Sequence, residues 1–474
     1  MKRVFFFEFW NWTPHLETSL ELAKRHLDAG DEVHYYFCGY DALYKEGVAM
    51  RSSLARLFRK TPERRGAELL TSDRFHFYPR VELERVQWDR PSAFASLGDL
   101  MAVTFEKYEV GLGAASSLVS FARHSEPDLA ANRRLILSML DSGVSAYMFV
   151  KKKLSQEHPD LVYTFNGRFC NYRAVVRAAE ASAVPYLIHE RGANKFRYSV
   201  WPFMPHDTRR QQVTIKAMWE EAKHSPASED VARSFFVDRR RGFEQDWIPF
   251  TRKQTSGALP SLPSDKKVVT YFSSTDDEYV AVGDGYRWEH WPNQHQALLD
   301  VIDICRGNSG VVLVIRLHPH LAAKSRGERA RWLSLPRGPN VLVVEPESEI
   351  DSYALVEASN VVVSAGSTLG IEAVFWARPS ITLGPSPYSE LGATYQPTGR
   401  AELQRLLEAE RLSVEPTLAY PYGYFVATFG EAFRFYRPET LFSGRFLGVD
   451  LQPRSLPFRA ARWGWRRVKP WFSR

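Results

Sequence analysis

The chain has 474 residues, of which 44% are hydrophobic and 25% charged, a composition that excludes a disordered chain, a collagen-like repeat and a coiled coil. Its length predicts two or three domains of about 150 residues each. The net charge is +7, and Arg454, Arg459, Arg462, Arg466, Arg467, Lys469 and Arg474 account for all of it, because residues 454–474 hold no acidic group. Nucleic-acid binding needs basic charge spread over a folded face, so the balanced remainder of the chain argues against that class. Cys38, Cys170 and Cys305 stand far apart with no CxxC spacing, which excludes a disulfide framework and a Cys-rich zinc site and fits a reducing compartment.

Residues 1–10, MKRVFFFEFW, begin basic and then apolar. Glu8 interrupts the run and no small-residue cleavage site follows, so a buried first strand is expected rather than a signal peptide. Thr13 and Pro14 resemble an N-cap and first helical position. Leu16, Leu20, Ala23 and Leu27 then recur at helical spacing up to Gly30, and a second strand is expected over 32–38. Strand, helix and strand in this order open a doubly wound α/β domain. Residues 51–65 are basic with Leu54, Leu57 and Phe58 interleaved, and read as a solvated helix face or a surface for an anionic acceptor. Residues 92–158 read as mainly helical. Within them, residues 135–150 are too short, and too burdened by Asp141, to span a bilayer. Strands are expected over 161–165 and 185–189 around a helix over 172–181, and residues 209–255 read as helical and charged.

Residues 257–264, GALPSLPS, form the clearest linker. A second alternation follows it, with strands expected over 267–272, 311–317, 341–344, 361–364 and 380–383 and helices over 294–305, 350–358 and 368–376. The reading is therefore α/β, with two Rossmann-like doubly wound domains facing a cleft. Its divisions are an acceptor-side domain over 1–256, the linker 257–264, a nucleotide-donor domain over 265–424, a helix crossing back within 425–453, and a basic aromatic tail over 454–474. No G-x-G-x-x-G follows the first strand and no P-loop pattern occurs, which argues against nicotinamide cofactors and P-loop ATP chemistry. No cofactor and no metal is assigned.

Three segments of the second half carry chemistry. In residues 361–384, VVVSAGSTLGIEAVFWARPSITLG, a buried strand runs through Gly366, Ser367 and Thr368 into a helix. Gly366 permits close backbone approach, and Ser367 and Thr368 bring hydroxyls and free N–H groups to a helix N-terminus that attracts phosphate. Glu372, one turn on, is placed to accept from a ribose. In residues 311–320, VVLVIRLHPH, Arg316 offers a planar fork to phosphate oxygens and His318 a donor or acid, with Pro319 stopping the strand. In residues 271–278, YFSSTDDE, Ser273 and Ser274 with Thr275 are placed to cradle a phosphate or sugar, and Asp276, Asp277 and Glu278 to meet sugar hydroxyls or a divalent ion.

The run VIRLHPH, then SAGSTLGIEAVFWARPSITLG and Tyr388, resembles the donor domain of GT-B glycosyltransferases, in particular bacterial capsule polysaccharide biosynthesis proteins, a group that includes Kdo transferases. The resemblance spans roughly residues 267–390 and is only architectural over the first 250. It implies that His318, Pro319, Ser367 and Thr368 hold the phosphate of a nucleotide donor, often CMP, and that Glu372 matches the helix glutamate that meets the ribose. CDP-glycerol phosphotransferases share the plan. Non-hydrolysing sugar-nucleotide epimerases share the architecture, but their acid and base residues cannot be placed here. The N-terminal half is expected to supply the acceptor site and any base. TFNGR brings Asn166 and Arg168 to one strand end, and IHERG brings His189, Glu190 and Arg191 to another. Glu190 is the candidate general base, or nucleophile if configuration is retained, and His318 the donor-side catalytic group. His15 and Glu17 are lesser candidates.

In the tail, Trp463, Trp465 and Trp471 alternate with Arg466, Arg467 and other cations, a pattern suited to the headgroup level of an anionic membrane. The chain is thus expected to be a cytoplasmic glycosyltransferase, peripheral at the inner face of the cell membrane. Its expected partners are a nucleotide-sugar donor and a capsule or lipopolysaccharide-type glycan, with no nucleic acid. The alternatives are a CDP-polyol phosphotransferase of teichoic-acid type and a non-catalytic glycan-binding protein.

Overall fold

The computed structural model describes residues 1–45, 61–245, 249–275, 277 and 279–452. Its first sheet joins β1 (Arg3–Glu8), β2 (Glu32–Phe37), β3 (Phe75–Tyr78), β4 (Leu161–Phe165), β5 (Tyr186–Arg191), β6 (Arg197–Trp201) and, from far along the chain, β12 (Glu431–Ala432). The spatial order is β3-β2-β1-β4-β5-β6-β12. β1 to β5 pair in parallel, and β6 and β12 are antiparallel. RVFFFE is apolar almost throughout because helices cover both faces of the sheet. Phe5 and Phe7 pack among the helices Val110–Ala122, Arg133–Glu157 and Cys170–Ala181, whereas Val4 and Phe6 pack under His15–Asp28. Aromatic rows knit neighbouring strands: Phe7 stacks on Tyr36 at 5.0 Å and Tyr36 on Tyr78 at 4.4 Å.

The second sheet contains β7 (Lys267–Phe272), β8 (Val311–Arg316), β9 (Val341–Val344), β10 (Val361–Ser364) and β11 (Ser380–Thr382), in the order β11-β10-β7-β8-β9, with every pairing parallel. One face packs on Gln294–Arg306 and Arg400–Glu408, the other on Ser352–Ala358 and Thr368–Phe375. Counted within each unit, both sheets run 3-2-1-4-5, so the strand order reverses between β1 and β4 and again between β7 and β10. Such switch points open crevices at the carboxyl ends of the strands.

Several elements differ from the sequence reading. β3, β6 and the hairpin of β13 (Tyr436–Thr440) and β14 (Ser443–Phe446) are additions, all at a sheet margin or outside the two large sheets, where hydrophobic alternation is weak. The helix expected within 425–453 is instead Tyr420–Thr428, and the return to the first sheet is made by β12. Gly430 enforces this: its φ is +86°, and a Cβ there would lie 2.3 Å from the Tyr198 carbonyl oxygen. Thr13 is not the N-cap. The first helix starts at His15 after Pro14, and Thr13 Oγ1 donates to Glu17 Oε1 at 2.8 Å. The helices Thr208–Ala222 and Pro226–Arg240 precede the linker, yet they pack on Tyr420–Thr428 and on Ile371 and Val374 of the second unit. Residues 51–60 of the basic stretch lie outside the described residues. Among those described, no helix is long and apolar enough to cross a membrane.

Candidate active site

A cleft of about 760 Å³, its open mouth included, lies at the β7/β10 switch point. Phe272 and Ser273 from the end of β7, Arg316, His318 and Pro319 from β8, and Ser367, Thr368 and Glu372 from the turn and helix after β10 all line it. Parallel strands release these three loops at one edge, which is why segments about 50 residues apart in sequence converge. The opposite wall is the segment between the sheets, with Arg239, Phe243, Pro249 and Phe250, and Tyr353 adds a further ring.

Ser273 Oγ accepts from the His318 backbone N–H at 2.9 Å and ties two of the loops together. His318 Nδ1 accepts from the His320 N–H at 3.2 Å, which leaves the ring proton on Nε2. Burial, reinforced by His320, Lys324, Arg316 and Arg239, pushes the imidazole down to about 3. His318 is therefore a neutral N–H donor at pH 7, with the Phe250 ring edge-on at 5.1 Å. Ser367 is the N-cap residue of Thr368–Phe375 and makes no side-chain cap bond, so its hydroxyl does not consume the free N–H groups of the first turn. The Tyr388 hydroxyl holds the turn by donating to the Ser367 carbonyl at 2.6 Å.

Arg316 is buried, and its fork is already used: Nη1 donates to the Glu345 carbonyl and Nη2 to the Ser348 carbonyl at 3.1 Å. The bidentate phosphate grip expected from the sequence is thus replaced by loop anchoring. Nε has no hydrogen-bond partner, and burial alone pushes the guanidinium down to about 10, with no carboxylate to offset it among the described residues. A buried cation of this kind favours an anion in the cleft.

Glu372 is fully buried. Its Oε1 accepts from Arg239 Nε at 3.0 Å and its Oε2 from the Tyr353 hydroxyl, so it meets protein groups where a free ribose acceptor was expected. Arg239 Nη2 also donates to Thr368 Oγ1 at 3.2 Å. Gly366 is not in the lining. With φ +114°, it makes room for the Pro385 carbonyl oxygen, which would lie 2.6 Å from a Cβ. Ser274 is outside the lining too, and its N–H donates to Gln294 Oε1 at 2.6 Å. Asp277 pairs with Lys324 at 2.6 Å, while Asp276 and Glu278 lie outside the described residues. Arg239, Phe250 and Tyr353 were not singled out from the sequence. Arg239 and Phe250 reach the cleft only because the connector returns over the second sheet, and Tyr353 because the helix Ser352–Ala358 packs beside Thr368–Phe375.

At the first sheet, the register Phe165↔His189 places the two acceptor-side loops side by side. Asn166, at φ +57°, donates from Nδ2 to Glu190 Oε1 at 2.5 Å, and Glu190 Oε2 accepts from the Arg191 N–H at 3.1 Å. The Arg168 N–H donates to Asn166 Oδ1 at 3.3 Å, and the Arg191 guanidinium stacks over Phe442 at 5.0 Å. These residues form one cluster, but none of them lines the cleft at β7/β10. Beneath them lies a pair that the sequence did not disclose: His189 Nε2 is 2.7 Å from Glu8 Oε1, both side chains buried. Burial raises the Glu8 carboxyl, partly countered by His189. His15 stands over Phe165 with ring centroids 4.0 Å apart, and burial first, then Arg191 and His189, holds it well below the usual imidazole range. Burial pushes Glu17 up to about 7. The membrane-tail residues Trp463, Trp465, Arg466, Arg467 and Trp471 lie outside the described residues.

Two doubly wound units with parallel strands in Rossmann order, and a crevice at the switch point of the second, are the GT-B class of fold. Among solved structures, the chain is similar to the beta Kdo 2,4 transferase KpsC of Thermosulfurimonas dismutans, at 16% identity and a TM-score of 0.41 over 57% of this chain and 80% of that one. It is similar to a UDP-GlcNAc 2-epimerase from Neisseria meningitidis, at 13% identity and 0.31 over 90% and 97%, and to the calicheamicin glycosyltransferase CalG4, at 12% and 0.28 over 90% and 95%. No protein-family model and no curated protein matches the chain.

Proposed function

We propose that the chain is a glycosyltransferase that moves a sugar from a nucleotide donor onto a capsule or lipopolysaccharide-type glycan. One observation carries this reading: the neutral N–H donor of His318, the helix N-terminus at Ser367 and Thr368, and the uncompensated cation Arg316 converge on one cleft at a sheet switch point. These groups suit a phosphate. As the glycosyl bond breaks, negative charge grows on the departing nucleotide, and fixed donors stabilise it without reorganising. Phe250 and Phe243 offer apolar walls for a base. The sequence resemblance favours a CMP-sugar. Glu190, held by Asn166 and the Arg191 N–H, is the proposed general base or nucleophile, with Arg168 and Arg191 beside it for an anionic acceptor. The aromatic, basic tail supports a cytoplasmic enzyme working at the membrane surface on a lipid-linked glycan.

Calorimetry with CMP, CDP, UDP and GDP, on the wild type and on His318→Ala and Ser367→Ala, tests the donor site. One nucleotide should bind the wild type and bind both variants weakly. Binding of none would overturn the donor site and favour a non-catalytic glycan-binding protein. Release of CMP with phosphate transferred to the acceptor would instead identify a polyol phosphotransferase. Flotation with anionic vesicles, with and without residues 454–474, tests the membrane role.

A further inference from the structure

The opposite end of the first sheet carries a side-chain group that glycosyl transfer does not use. Glu32 and His34 are two residues apart on β2 and so project from the same face. The parallel register of β2 and β3 sets His34 beside His76. The three side chains meet: His34 Nε2 lies 3.2 Å, and His76 Nε2 3.3 Å, from one oxygen, Glu32 Oε1. The two imidazole centroids are 4.6 Å apart, and one ligating atom from each residue falls within 4.8 Å of the others.

The two contacts to Glu32 Oε1 have the spacing that a common metal ion imposes. Bonds of about 2.0–2.2 Å in a tetrahedral arrangement set neighbouring ligand atoms roughly 3.3–3.5 Å apart. His34 is buried, yet its Nε2 makes no aligned hydrogen bond, although the carboxylate is close. A metal ion between the three side chains would give this nitrogen an aligned partner while keeping Glu32 Oε1 close. Its other ring nitrogen, Nδ1, lies 3.1 Å from the Tyr78 hydroxyl, an outer contact that holds the orientation of the ring. Arg3 Nε donates to Glu32 Oε2 at 2.9 Å, orienting the carboxylate and leaving Oε1 turned toward the two histidines. Glu157 Oε2, 3.8 Å from His34 Nδ1, adds negative charge that offsets Arg3.

We propose that Glu32, His34 and His76 form a site for a divalent transition metal of the zinc class. Two imidazoles and one carboxylate suit zinc, cobalt, nickel or copper better than magnesium or calcium. His76 is partly exposed, so a fourth position opens to water. The ligands sit near the N-terminal ends of β2 and β3, away from the strand ends that carry the acceptor-side cluster. The ion therefore fastens the edge strand β3 to the sheet and takes no part in transfer.

Titration of the chelator-stripped full chain with Zn²⁺ tests this, read by calorimetry and by melting temperature. One equivalent should bind and raise the melting temperature, and Co²⁺ should give a visible absorption band. His76→Ala, at a partly exposed site and folded by circular dichroism, should abolish both effects while nucleotide affinity stays unchanged. Tyr78→Phe should weaken zinc about tenfold. Absence of a zinc-dependent shift in the wild type, or a His76→Ala variant that binds zinc as the wild type does, would overturn the site.

Discussion

Arg239 Nε donates to Glu372 Oε1 at 3.0 Å, so the helix Pro226–Arg240 is fastened to the helix whose N-terminus lines the cleft. The carboxylate is buried and Arg239 is its cationic partner. Arg239→Ala should strand that charge and cost about 3 kcal/mol, near the low end for a broken buried pair because the arginine is partly exposed. It should also weaken nucleotide binding, since Thr368 Oγ1 loses its donor. Urea unfolding and calorimetry on one preparation check both effects.

His318→Ala and Ser367→Ala should lower turnover by about 100-fold or more, the usual effect of removing one donor from a developing anion. Their melting temperatures should stay near the wild-type value, because both side chains line the cleft rather than the core. Steady-state kinetics with the nucleotide-sugar identified by binding make the comparison. Wild-type rates in both would remove them from the mechanism.

His318 and His206 are both pushed down to about 3, in each case first by burial. The unfolded chain takes up protons on these rings near pH 6.5, whereas the folded chain does so only near pH 3. Between those values the unfolded state binds more protons, so stability climbs as pH rises through that window. Urea midpoints measured from pH 4 to 7 should show this slope, and His318→Gln should reduce it by close to one proton.

Glu17 has the opposite sign. Its carboxyl is pushed up to about 7 mainly by burial, so between pH 4.5 and 7 the folded chain holds a proton that the unfolded chain has lost. Stability contributed by this group falls as pH rises through that interval. Glu17→Gln should therefore stabilise the protein at pH 8, by up to about 3 kcal/mol, and change little at pH 4. Thermal unfolding at the two pH values tests the difference.

Gly366→Ala should destabilise by about 2 kcal/mol or more, because φ +114° strains any side chain and the Cβ would meet the Pro385 carbonyl. Nucleotide affinity, extrapolated to fully folded protein, should fall far less than for Ser367→Ala, since Gly366 is not in the cleft wall. Differential scanning calorimetry and nucleotide titration separate the two effects.

The repeating pattern of buried strand and amphipathic helix places most strands of the two parallel units. Central strands such as residues 361–364 must be apolar on both faces, and strand ends release Ser367 and His318 into the cleft. Local sequence also singled out Asn166 and Glu190, which the fold sets in contact, and the serine and threonine that line the cleft. It did not reach what depends on distant chain segments. Arg239 with Glu372, Glu8 with His189, and His34 with His76 meet because sheet order and register bring them together, and no spacing along the chain encodes those distances. The same holds for Arg316: its residue type suggested a phosphate fork, but the fold buried it and gave that fork to the Glu345–Ser348 carbonyls. Periodicity is a local property of the chain, whereas the desolvation and pairing of a charge are decided by whatever the rest of the molecule packs around it.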